Sequence, residues 1–71
     1  MIRKPVASSN IASVGYDPTR MILEIEFKGG SVYQYSSVPL DKYEGLMAAG
    51  SHGRYFAAYI KDGGYPCRKI S

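Results

Sequence analysis

Ser51-His52-Gly53-Arg54-Tyr55 brings a hydroxyl, the chain's single histidine, a glycine, a guanidinium and a phenol to a point where a helix is expected to begin. Ser51 can cap such a helix, Gly53 lets an anion approach the first free N–H groups, and Arg54 adds a forked cation. The helix dipole favours negative charge at the same end, and His52 supplies one more donor. Tyr55 can stack on a base or fill space between helix and sheet. The same residues also describe an ordinary capped helix whose glycine serves close packing.

Tyr33 and Tyr35 are the second chemical feature. They alternate along an expected strand in a chain with seven tyrosines and no tryptophan, and phenol rings on an open sheet face can stack on unpaired bases. Their face depends on the turn at Gly29-Gly30. A two-residue loop pairs Glu26 with Tyr33 and sets both rings beside Glu24 and Glu26, which repel phosphate. One more residue in the turn pairs Phe27 with Tyr33 and Ile25 with Tyr35, and the rings enter the core. The small size of the chain favours the second register, because large apolar groups are needed inside.

Enzyme chemistry finds little to build on. One histidine and one cysteine offer no metal spacing, and the alternating pair Glu24 and Glu26 has no further groups around it. No phosphate-loop or dinucleotide glycine pattern occurs. Cys67 stands beside Arg68 and Lys69, which lower a thiol pKa, but without a neighbouring base it reads as inert. No catalytic residue, metal site or cofactor is expected.

Charge is unevenly spread. The net charge is +3; Arg3 and Lys4 make the start basic, residues 5 to 53 are acidic on balance, and Arg54, Lys61, Arg68 and Lys69 make the end basic. This suits a phosphate-bearing partner that meets the second helix and the tail. A single cysteine excludes an internal disulfide, and the absence of a signal peptide or transmembrane run points to a cytoplasmic protein with no membrane partner.

The elements that must position these residues follow from periodicity. The 71 residues make one domain. Met1 to Ala7 reads as a flexible leader. Ala12, Val14 and Tyr16 alternate in a first strand, Asp17-Pro18-Thr19-Arg20 is a turn, and Met21, Leu23, Ile25 and Phe27 alternate in a second strand. That turn pairs Tyr16 with Met21, Val14 with Leu23 and Ala12 with Ile25, so these six residues are expected on the core side. Val32 to Tyr35 is the third strand. A helix begins at Leu40 after Pro39, with Leu40, Tyr43, Leu46 and Met47 on one stripe. Gly45 inside it suggests close approach of another part of the chain, and Gly50 stops it. A second helix runs from Gly53 to about Lys61, ended by Gly63-Gly64. Cys67 to Ser71 is a basic tail, either an edge strand or disordered. The fold is therefore α+β: a three-stranded antiparallel meander followed by two helices, βββαα, with a short extended tail. Its thin core makes a self-associated form a fair expectation.

Ser8-Ser9-Asn10-Ile11, Val14-Gly15-Tyr16-Asp17, the Gly29 to Tyr35 stretch with its Tyr-x-Tyr, Val38-Pro39, Tyr43, and Ser51-x-Gly53-x-Tyr55-Phe56 with Ile60 together resemble the KTSC domain. The resemblance covers residues 8 to 66. It implies kinship with an appendage of some lysyl-tRNA synthetases and with free-standing small bacterial and phage proteins, and RNA binding has been suggested for the family. Where many members have Asn after the Tyr-Phe pair, this chain has Ala57, which puts any contact made by that Asn in doubt. The expected function is a non-catalytic module for a phosphate-containing ligand. RNA, for example a tRNA, is the first candidate, and a nucleotide, including a cyclic signalling one captured by a phage protein, belongs to the same class. The expected ligand-binding residues are Ser51, His52, Gly53, Arg54, Tyr55, Tyr33, Tyr35, Lys61, Arg68 and Lys69. The competing class is a protein-interaction or self-assembling module anchored by exposed tyrosines.

Overall fold

The computed structural model describes residues 1–71. The chain runs β1 (Lys4–Pro5), β2 (Ile11–Asp17), β3 (Ile22–Phe27), β4 (Val32–Tyr35), α1 (Leu40–Ala48), α2 (His52–Tyr55) and β5 (Cys67–Lys69). From α2 the helix continues as a wide π-helical turn, Phe56–Ile60, and a closing 3₁₀ turn, Lys61–Gly63; together these form the second helix. The strands lie in the order β1-β2-β3-β4-β5, with antiparallel neighbours throughout. The class is α+β and the central meander and both helices are present, but the sheet has five strands instead of three. Leader and tail supply the other two, satisfying edge groups of β2 and β4 that a three-stranded sheet would leave open.

The leader is not loose. Lys4 pairs with Val14 and Pro5 with Ser13, an edge position where proline's missing N–H costs no ladder bond. Arg3 reaches across the sheet face opposite the helices. Its Nε donates to Ser13 Oγ at 3.0 Å and its Nη1 pairs with Glu24 Oε2. Gln34 Nε2 donates to the other Glu24 oxygen at 2.8 Å, and Ser13 Oγ donates to Glu26 at 2.8 Å. Glu24 is only 5% exposed, so it depends on these partners. Gly15 makes room for the leader, because a Cβ there would lie 3.0 Å from both Arg3 Cγ and the Ile2 carbonyl oxygen.

Register corrects the expected pairings in both hairpins. In the first hairpin the loop is one residue later: Asp17 pairs with Ile22, Tyr16 with Leu23 and Val14 with Ile25. Met21 falls in the turn with φ 56° and is exposed. A bulge between Ile11 and Ser13 turns Ile11 inward in place of Ala12, since one extra residue reverses the alternation. In the second hairpin the loop is Lys28-Gly29-Gly30, closed by Phe27 N–H to the Ser31 carbonyl at 2.8 Å and Gly30 N–H to the Phe27 carbonyl at 2.9 Å. Gly30 takes φ 98°, the left-handed residue that a three-residue hairpin requires. Tyr33 then faces Ile25 and Tyr35 faces Leu23. Both rings lie on the helix side, as one of the two registers demanded, but opposite residues two positions earlier than expected.

The core joins Ile11, Val14, Leu23, Ile25 and Tyr35 from the sheet to Val38, Leu46, Phe56 and Ile60. Tyr16 stacks on Tyr43 at 4.8 Å and donates its hydroxyl to the Val38 carbonyl at 2.6 Å, which ties α1 to β2. Leu40, expected on the buried stripe, is half exposed; Leu46 is the fully buried residue of α1. Gly45 is where the second helix comes closest, since a Cβ there would sit 2.6 Å from Tyr55 Cζ. Tyr55 in turn packs on Tyr59 at 4.6 Å, and Lys42 Nζ lies 5.4 Å over the Tyr59 ring.

Two measurements test these joints. Burial acts to raise the Glu24 pKa, but hydrogen bonds from Gln34 and Arg3, with the Arg3 charge, outweigh it and hold the carboxyl below its ordinary value. Such a group stabilises the fold above its unfolded-state pKa, and the contribution is lost as the pH falls through the lower folded-state value. Arg3→Ala should therefore cost about 1.5–3 kcal/mol near neutral pH, with the deficit shrinking below about pH 4. Urea unfolding at pH 7 and pH 3 measures both, and an equal deficit at the two would dismiss the pair as an anchor. Gly45→Ala gains about 1 kcal/mol of helix propensity against about 1–3 kcal/mol for displacing Tyr55, so it should cost up to about 2 kcal/mol net and become stabilising once Tyr55 is also alanine. A double-mutant cycle without coupling would exclude Tyr55 as the cause.

Candidate ligand groove

The second helix crosses the sheet above β3 and β4 without covering all of it. Phe56 and Ile60 point down into the core, while Gly53, Ala57 and Lys61, spaced by four residues, line the side of a groove of about 480 Å³. Its floor is aromatic. Phe27 meets Tyr33 edge-on at 5.8 Å and Phe56 at 5.5 Å, and Tyr35 meets Phe56 at 5.5 Å. These contacts fix the rings against one another. Tyr65, Cys67 and Asn10 complete the wall. No carboxylate lines the groove, and Lys61 is its one cation.

The π-helical turn contributes to this shape. The Lys61 N–H reaches back to the Phe56 carbonyl, five residues earlier, which widens the helix where it passes the tyrosines. Gly64 then ends the helix at φ 79°. Tyr65 folds back under Gly63, where a Cβ would lie 2.7 Å from the Tyr65 ring. The Ser36 N–H bonds to the Pro66 carbonyl at 2.8 Å, which guides the tail onto β4. There Cys67 pairs with Tyr35 and Lys69 with Tyr33. Paired residues share a face, so Lys69 leaves the sheet on the groove side. Burial, then the neighbouring Cys67 and Tyr33, push the Tyr35 hydroxyl up to about 12, so it stays a neutral hydrogen-bonding group at physiological pH.

The residues singled out from sequence divide into three groups. Tyr33, Tyr35, Gly53 and Lys61 line the groove, and Lys69 stands beside it. Ser51 and Arg54 are exposed at the start of α2, but the Arg54 N–H is taken by Ser51 Oγ at 3.3 Å. Gly53's bare Cα is covered by Asn10, whose Oδ1 would lie 2.6 Å from a Cβ there. Of the two readings of this glycine, the geometry supports close packing. His52 Nδ1 donates to the Leu46 carbonyl at 2.8 Å, fastening α2 to α1, and Tyr55 packs against Gly45. Arg68 pairs with Gln34 and belongs to the opposite face. That face has its own hollow of about 590 Å³, but Glu24 and Asp17 in it are already matched with Arg3 and Arg20.

Sequence reasoning missed Asn10, Phe27, Phe56, Tyr65 and Cys67 as neighbours of one cavity. They come from four separate parts of the chain. Only Gly53, two residues after a capping serine, signalled that something approaches the second helix, and nothing in its spacing named Asn10.

The comparisons with known proteins agree with this architecture. The KTSC domain family profile matches residues 7–65. A crystal structure of a KTSC domain protein from Yersinia pestis superposes with a TM-score of 0.93 at 46% identity, covering 99% of this chain and 97% of that one. A protein of Stutzerimonas stutzeri (strain A1501) is 43% identical over 61 residues, 86% of each chain. A lysine–tRNA ligase of Nostoc sp. is 45% identical over 53 residues, which is 75% of this chain and 9% of the ligase. With a matched profile over most of its length and the same fold in a solved relative, the chain belongs to the KTSC domain family.

Proposed function

We propose that this protein is a non-catalytic cytoplasmic binding module for a phosphate-containing ligand, RNA above all, received in the groove between the second helix and strands β4 and β5. The observation that carries the reading is the separation of charge by the sheet. The groove side presents tyrosine rings with Lys61 and Lys69 at the edge. Glu24 and Glu26, which would repel phosphate, are on the other face with Arg3. An aromatic floor with flanking cations is the arrangement by which proteins hold single strands without a base-pairing partner. At about 480 Å³ the groove is also of ordinary size for a nucleotide-like ligand. The relative that is a lysine–tRNA ligase, an enzyme named for an RNA substrate, adds support from outside the chain.

Non-catalytic use is favoured by what surrounds Cys67. The only histidine is held by the Leu46 carbonyl, and the groove walls supply no carboxylate to act as a base.

Binding of a labelled mixed RNA pool should weaken steeply with salt. Replacing Lys61 and Lys69 together by alanine should lower affinity and flatten the log–log salt slope by about 1.4, at about 0.7 per lost phosphate contact on a single strand. Fluorescence anisotropy between 50 and 300 mM salt reads both quantities. Affinity that does not change with salt would discard the RNA reading, and a thermal shift with a single small nucleotide would move it to a nucleotide pocket.

A further inference from the structure

Asn10 brings an exposed amide to the wall of the groove, which the cation and aromatic pattern does not explain. Ser8 Oγ accepts from the Asn10 and Ile11 N–H groups at 3.4 and 3.3 Å and donates to Asn10 Oδ1 at 3.1 Å. This chain of bonds fixes which way round the amide sits, since the hydroxyl proton must go to the oxygen. Asn10's backbone is held as well, its carbonyl accepting from the Lys28 N–H at 2.9 Å. The side chain lies against Gly53, so it cannot swing toward the helix. No protein acceptor takes the two Nδ2 hydrogens. Asn10 is exposed where it lines the groove, so these hydrogens are open to an incoming acceptor.

Resting on the RNA reading above, we infer that the groove takes a single unpaired base, stacked on the partly exposed Tyr33 ring, and that Asn10 Nδ2 donates to a carbonyl oxygen on that base while Lys61 holds the adjoining phosphate. A paired base is excluded by geometry. The groove is walled by the second helix on one side and by Tyr65 and Cys67 on the other, whereas a duplex presents its bases stacked and edge-on. Asn10 also sets the chemical preference. An asparagine that reads adenine uses its oxygen and its nitrogen together, but here Ser8 donates to the oxygen, whose other side lies against Gly53. Uracil, cytosine and guanine carry a carbonyl oxygen with two lone pairs for the remaining donors; adenine offers only ring nitrogens, and its amine beside them would find no acceptor on Asn10. Asn10 is thus a specificity-determining residue, distinct from the lysines, which hold any sequence.

The test compares 5′-phosphorylated octauridylate, octaadenylate and a 16-base-pair RNA duplex by fluorescence anisotropy at one salt concentration, with the native chain, Asn10→Asp and Asn10→Ala. Octauridylate should bind at least five-fold more tightly than octaadenylate, although adenine stacks better, and at least ten-fold more tightly than the duplex. Both variants should bring the uridylate-to-adenylate ratio to one or below. The ratio is the readout because added charge in Asn10→Asp lowers all affinities alike, and circular dichroism of Asn10→Ala confirms that a folded chain is being compared. Duplex binding equal to octauridylate overturns the unpaired-base inference while leaving RNA binding intact. A ratio that survives in both variants overturns the role of Asn10 alone. No binding of any of the three RNAs overturns the RNA reading and this inference with it.

Discussion

The turn at Lys28-Gly29-Gly30 is the constraint on which the rest depends. Strand alternation has a period of two, so a hairpin loop of three residues and one of two send the same side chains to opposite faces. Gly30 at φ 98° permits the three-residue form at no steric cost. Through it Tyr33 and Tyr35 come to lie opposite Ile25 and Leu23. From that placement follow the aromatic floor, the seat for Phe56 and the position of β5 beside β4. A side chain at residue 30 would strain this turn, and the alternative register would set the tyrosines among acids.

The opposite face shows why those acids are tolerated. A carboxylate as buried as Glu24 would be strongly unfavourable alone. Its partners are a guanidinium from the leader and an amide from β4, and the same guanidinium is linked through Ser13 to Glu26. The leader is therefore part of the sheet for an electrostatic reason more than a hydrophobic one: Met1 and Ile2 are largely exposed, while Arg3 is held. The sheet thus divides the molecule into a face whose charges are paired from within and a face whose groove carries Lys61 without a carboxylate beside it.

How much of this could be read in the sequence depended on the range of the interaction. The strands and helices of residues 11 to 60 were legible because each is a local pattern: alternation in β3, helical spacing in α1, a serine cap before α2. Gly45 was legible as a close approach, and Tyr55 proved to be what approaches. The bulge at Ala12 was not legible, since a single extra residue leaves the composition of β2 unchanged while reversing its faces. Nor was the strand formed by Lys4 and Pro5, whose reason is Arg3 meeting Glu24 from 21 residues away. For the groove, individual members such as Tyr33, Tyr35 and Lys61 stood out by type. That Gly53 belongs with Asn10 rather than with an incoming anion is a fact of tertiary packing.

The widened turn at Phe56–Ile60 connects the fold to the groove. A helix that only had to seal the sheet would do best with regular α-helical spacing and large residues along its lower side. Instead, Phe56 and Ile60 fill the core while Gly53, Ala57 and Lys61 run along the edge of the cavity, two small residues and one flexible cation. Gly53 is already covered by Asn10, but a larger residue at 57 would narrow the groove and bury more apolar surface, which a chain this short could use. A π-helical turn also gives up regular hydrogen bonding, and such turns are frequent where a site is built. The small residue at 57 and the irregular helix together leave the groove open along that edge, beside rings already packed edge to face.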